Sequence, residues 1–194
     1  LQLAVRYGVF PKEQIQIYCD NGNIGLDCNG FVGNYLRHVV QGMDWDTDVR
    51  TKEQKKTEID ANTMIKSIMT RSTITQPVKT LEEIEQRPLG VYLLAMANEH
   101  GNILDHVKNA DGSVAHGHIV ITEPGTLKTV NNPVLPNVRR PPTEAKAITV
   151  LESTGGHGLV DSPYYFLDVN RHGVFTVYRG VKSEKMFTRV ARCL

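Results

Sequence analysis

The chain has three cysteines, one tryptophan and only 7% aromatic residues. Cys19, Cys28 and Cys193 are too few and too scattered for a disulfide framework, and with no Cys-x-x-Cys pair they carry no structural zinc signature. Charge of one sign is also missing. Twenty-two Lys and Arg against 21 Asp and Glu leave +1, which offers no bulk attraction to nucleic acid or to an anionic membrane. No stretch nears the roughly 18 apolar residues of a membrane span, so no spanning segment is expected. Internal repeats and low-complexity tracts are lacking too. The first residues, Leu1-Gln2-Leu3, include no Met, as expected of an excised or processed piece.

What is present is an ordinary globular mix, with 40% hydrophobic and 22% charged residues over 194 positions. At roughly 100–200 residues per domain, a single domain over 1–194 is expected. Phe31, Val32, Tyr35, Leu36 and Val39 make one apolar stripe at helical spacing. The stripe predicts a helix from Asp27, at or near the N-cap, to Gln41. Residues 44–60 are dense in charge, and Ile59, Met64, Ile65, Ile68 and Met69 then form a weaker stripe. The 43–85 stretch therefore reads as an insertion or lid carrying a helix, and Thr80-Leu81-Glu82-Glu83 has capping-box spacing.

Beyond Pro88 the period changes. Val91–Ala97, His118–Thr122 and Ala147–Glu152 read as strands, and 164–169 with 173–178 as a hairpin about Asn170-Arg171-His172-Gly173. Residues 124–142 hold five prolines without a period and read as a surface loop. Helices first and strands later predict an α+β domain, an antiparallel sheet packed on the Cys28 helix.

The string Leu26-Asp27-Cys28-Asn29-Gly30-Phe31-Val32 carries the chemistry. A cysteine in the first turn of a helix meets unpaired N–H groups and the positive end of the dipole, which favour a thiolate. Taken without its neighbours, Cys28 is equally a small buried hydrophobe. The string, however, resembles the Asp-Cys-Ser-Gly-Phe motif of the NlpC/P60 cysteine peptidases and, less closely, that of the CHAP amidases. Asn29 stands where Ser is usual. In the family a tyrosine and a Gly-rich turn precede the cysteine, as Tyr18-Cys19-Asp20-Asn21-Gly22 does here. A histidine then opens a β-branched strand, as in Gly117-His118-Ile119-Val120-Ile121, and a polar residue on the next strand matches Glu152.

The resemblance implies a papain-like α+β fold, its N-terminal catalytic helix packed on an antiparallel β-sheet with a helical insertion. It implies amide hydrolysis in the peptide stems of bacterial peptidoglycan, with no cofactor and no metal. Cys28 is then the nucleophile, His118 the general base and acid, and Glu152 the group that orients the ring. The backbone N–H of Cys28, beside Asp27, and the Tyr18 hydroxyl would support the oxyanion. The expected setting is the periplasm or cell wall, reached by secretion or delivery. The 43–85 insertion and the lack of a wall-binding repeat point to an injected effector more than to a housekeeping hydrolase, which leaves room for an immunity protein as partner. A monomer is expected.

Three alternatives stand beside this reading. His116 competes with His118 as base, and His157 lies in the Gly155-Gly156-His157-Gly158 loop near the expected site. His157 and Asn131 are the substitutes for Glu152 in the third role. His116-x-His118 with Glu152 or His157 also makes a zinc-dependent hydrolase conceivable, although a lone His-x-His is weak and no His-Glu-x-x-His is present. Last, the fold could serve a non-catalytic binding module. His38, His100, His106 and His172 read as surface or helix residues.

Overall fold

A computed structural model describes residues 32, 36, 61–70, 75–103, 117–122, 124–125, 127–154 and 158–193. In chain order these residues form α1 (Ala61–Thr70), β1 (Thr75–Val78), α2 (Leu81–Glu85), β2 (Tyr92–Met96), β3 (Ile119–Thr122) and β4 (Lys128–Asn131). Then follow β5 (Glu144–Thr154), β6 (Gly158–Val169), β7 (Phe175–Arg179) and β8 (Glu184–Cys193). Among the described residues no helix is long and apolar enough to cross a membrane.

All strand pairings among the described residues are antiparallel. The order β8-β2-β3-β5-β6-β7 returns to β8 through the β7–β8 ladder and closes a six-stranded barrel. β1 pairs with the far half of β8, and β4 with the near half of β5. Alternation along each strand divides the apolar residues into two clusters. Tyr92, Leu94, Val120, Ile148, Val150, Tyr164, Phe166, Phe175, Val177, Met186 and Val190 fill the barrel. Leu93, Ala95, Ile119, Ile121, Leu151 and Ala191 face outward, where Ile65, Ile68 and Met69 of α1 cover them together with Val32 and Leu36. This explains the unbroken apolar runs of β2 and β3, which are buried on both faces.

α2 begins at Thr80, whose hydroxyl accepts from the Glu83 N–H at 3.4 Å. The helix puts Ile84 into the inner cluster, and the buried Tyr92 hydroxyl donates to the Ile84 carbonyl. It thus plugs the barrel at the Tyr92 end of β2. Thr75–Val78 and Leu81–Glu85, both within the stretch read as an insertion, therefore join the barrel's own layers. The β6–β7 turn uses Gly173 at φ 67°, with Asn170 Oδ1 accepting from the His172 and Val174 N–H groups.

The expected papain-like α+β fold, with a catalytic helix on an antiparallel sheet and a helical insertion, is overturned. The described residues are mostly antiparallel strand in a closed barrel with two short helices. The physical reason lies in β8. Its inner residues Met186, Thr188 and Val190 alternate with Lys185, Phe187 and Arg189, a sparse pattern that gives no strong strand signal. Yet β8 joins β7 to β2 and turns an open sheet into a barrel. β4 likewise hides in the proline-bearing stretch expected to be all loop.

Candidate active site

At the end of the barrel away from α2, the inward positions change from apolar to charged. His118 immediately precedes β3, and its carbonyl accepts the Met96 N–H at 2.8 Å, which fixes the backbone at the barrel rim. Alternation with Ile119 turns its ring to the inner side, along with Val120. On β5, Ile121 faces Leu151 and Thr122 faces Val150, so Glu152 comes next on the same inner side. The two side chains meet, with His118 Nε2 3.0 Å from Glu152 Oε2. The carboxylate is fully buried and the imidazole 12% exposed.

Glu152 has more company than a simple orienting carboxylate. The Tyr164 hydroxyl of β6 donates to Oε2 at 3.1 Å, and Arg179 Nη2 of β7 donates to it at 2.9 Å. Arg179 Nη1 donates to Glu184 of β8 at 2.6 Å. Arg179 Nη2 also stands 3.1 Å from His118 Nε2. That ring nitrogen can donate to the carboxylate or accept from the guanidinium, but not both. The anionic oxygen 3.0 Å away favours the N–H at Nε2, which leaves Nδ1 as the basic nitrogen. Among the described residues nothing hydrogen-bonds to Nδ1.

The electrostatics follow from this packing. Burial raises the Glu152 carboxyl, but the bonds from His118 and Arg179 and the guanidinium charge outweigh it and hold the group at about 2. Burial pushes the His118 imidazole down; the Glu152 bond pulls it back, and the Arg179 charge lowers it again, for a net depression. Burial raises the Tyr164 phenol, so it remains a donor. Burial opposes the Arg179 charge, but Tyr164, Glu152 and Glu184 uphold it. The resting cluster is therefore a neutral imidazole beside a carboxylate–guanidinium pair.

Both depressed groups make the fold acid-sensitive. The unfolded chain binds each proton more readily than the folded one, so the stabilisation is complete above the unfolded value and is lost as pH falls toward the folded one. The unfolding temperature should hold above about pH 7 and drop below the ordinary histidine value of 6.5. A further drop should follow between 4.5 and about 2 as Glu152 is protonated. Thermal melts against pH check this, and Glu152→Gln should flatten the lower limb.

Of the residues singled out in the sequence, the fold brings His118 and Glu152 together. Cys28, Tyr18, Asp27, His116, His157 and Cys19 lie outside the described residues. Val32 and Leu36, four and eight positions after Cys28, are helical and fully buried in the outer cluster that includes Ile119 and Leu93. Cys193 is partly buried, and burial pushes its thiol up to about 12, far from a reactive thiolate. Asn131 pairs with Glu144, eight residues before Glu152 on β5, or about 26 Å away at strand rise; it does not meet the ring. Among the described residues no group of three His, Cys, Asp or Glu could hold a metal.

Arg179 and Tyr164 belong to none of the motifs that the sequence offers. One signal for Arg179 existed: in Phe175-Thr176-Val177-Tyr178-Arg179 the arginine shares a face with Phe175 and Val177. A charge on the apolar face of a strand requires a buried partner. Tyr164 offered no such signal, because a tyrosine in an apolar strand looks like core. No protein-family model, curated protein or solved structure matches the chain.

Proposed function

We propose that the protein is a cysteine amidase or endopeptidase acting on the peptide stems of bacterial peptidoglycan, in the periplasm or cell wall, with Cys28 as nucleophile. The observation that carries this reading is the 3.0 Å contact of His118 with a fully buried Glu152, in a chain whose Cys28 motif resembles that of NlpC/P60 enzymes. The substrate class rests on that motif and not on the barrel.

In the proposed reaction the neutral His118 takes the thiol proton at Nδ1 while the Cys28 sulfur attacks the amide carbonyl carbon. The carbonyl electrons move to oxygen, where the Cys28 backbone N–H and the Tyr18 hydroxyl would support the charge. The C–N bond then breaks, and His118 returns its proton to the leaving amine. Water attacks the resulting thioester with His118 again as base, releasing the acid and restoring the thiol. Glu152 holds the ring through Nε2 and stabilises the imidazolium. An effector role would bring an immunity protein as natural partner.

One observation favours a non-catalytic binding module instead. His118 turns to the inside of the barrel, whereas Val32 and Leu36 pack on its outside. Since β3 begins only at Ile119, a thiol would have to approach the ring over the rim. The zinc reading has less support, because Arg179 Nη2 lies 2.9 Å from Glu152 Oε2 and 3.1 Å from His118 Nε2, where a cation bound to both would sit.

Purified muropeptides incubated with the protein and analysed by mass spectrometry test all three readings. The thiol mechanism predicts cleavage that persists in EDTA and is lost after iodoacetamide, with Cys28 alkylated ahead of Cys193. Loss in EDTA with recovery in zinc would establish the metal hydrolase. Binding of muropeptides without cleavage would establish the module.

A further inference from the structure

The guanidinium of Arg179 is 6% exposed and forms a triangle with the two groups assigned to catalysis, 2.9 Å from Glu152 Oε2 and 3.1 Å from His118 Nε2. We infer that Arg179 is a positioning residue that keeps His118 uncharged in the resting site, by setting a fixed cation against the ring nitrogen that Glu152 also holds. The inference rests on the hydrolase reading only for its consequence on activity.

A lone carboxylate at Nε2 would favour the imidazolium, which cannot accept a proton from a thiol. With Arg179 beside it, Glu152 keeps its directional bond to the ring while much of its field is cancelled. Among the described residues, charged and polar groups from four strands enter this balance. β5 brings Glu152 and β7 brings Arg179; β6 brings the Tyr164 hydroxyl, which binds the same oxygen; β8 brings Glu184, which takes the other end of the guanidinium. β2 adds no charged residue. Glu184 is half exposed at 48%, so the solvent-facing end of the chain can be altered without opening the core. The direction of the His118 shift agrees, with Arg179 lowering it and Glu184 raising it.

The test is the ring titration of His118 by nitrogen-15 NMR on the full chain, which needs no turnover. Arg179→Gln should move the titration to higher pH, Arg179→Lys should keep it near that of the parent, and Glu184→Gln should move it to lower pH. In muropeptide cleavage, Arg179→Gln should lose more activity at pH 6 than at pH 8.5, because the acid limb moves to higher pH; a purely structural loss would be equal at both. A titration that does not rise in Arg179→Gln overturns the inference. Where circular dichroism finds that variant unfolded, a titration that does not fall in Glu184→Gln overturns it. If no protein cleaves muropeptides, the hydrolase reading fails while the titration still decides the role of Arg179.

Discussion

Glu152→Ala should destabilise the fold by about 3–5 kcal/mol, the cost of breaking a buried ion pair on one side only. The alanine leaves Arg179 with only the half-exposed Glu184 as a carboxylate partner, and it removes the buried acceptor used by Tyr164 and His118. For a chain of this size the unfolding temperature should fall by roughly 6–20 °C, read by calorimetry near pH 7.5. Glu152→Gln keeps an acceptor and most of the volume, so its loss should be smaller. The sequence alone suggests that Glu152 is the least essential of the three proposed catalytic positions. Geometry gives it a large part in folding, because its buried carboxylate serves His118, Tyr164 and Arg179 at once. Equal melting temperatures for the parent and Glu152→Ala would show that the cluster is not formed in solution.

The largest effects on activity belong to Cys28 and His118. Cys28→Ala should reduce muropeptide cleavage to background with the melting temperature unchanged, since the bond-forming atom is gone. His118→Ala should lower the rate by about 10²–10⁴, the range for a positioned general base. His118→Gln separates chemistry from structure. Its amide can still donate toward Glu152, so the cluster and the melting temperature should survive, but it has no basic nitrogen and activity should stay lost. Recovery of cleavage in His118→Gln would remove the ring from the mechanism. Full activity in Cys28→Ala would remove the thiol.

The parts of the site that were legible came from local signals. His118 stands before Ile119-Val120-Ile121 and Glu152 ends Val150-Leu151, so strand type and the end of each strand could be read directly. Their meeting needed only that β3 and β5 be neighbours. Arg179 was hidden because its partners lie 27 residues earlier on β5 and 61 residues earlier at β3. Nothing in the string around it names them.

The sequence by itself determined β2, β3, the second half of β5, the hairpin strands on either side of Asn170–Gly173, the cap at Thr80 and the helical spacing of Val32 and Leu36. Each depends on residues within a turn or two of one another, where side-chain period and backbone preference act directly. Only the tertiary structure decided that the sheet closes. Closure requires β8 to pair with β7 on one side and β2 on the other, and β2 lies about 90 residues earlier in the chain. It also decided which charges share the barrel. Curling the sheet turned one face of every strand inward, and burial there brought His118, Tyr164 and Arg179 to the same oxygen of Glu152.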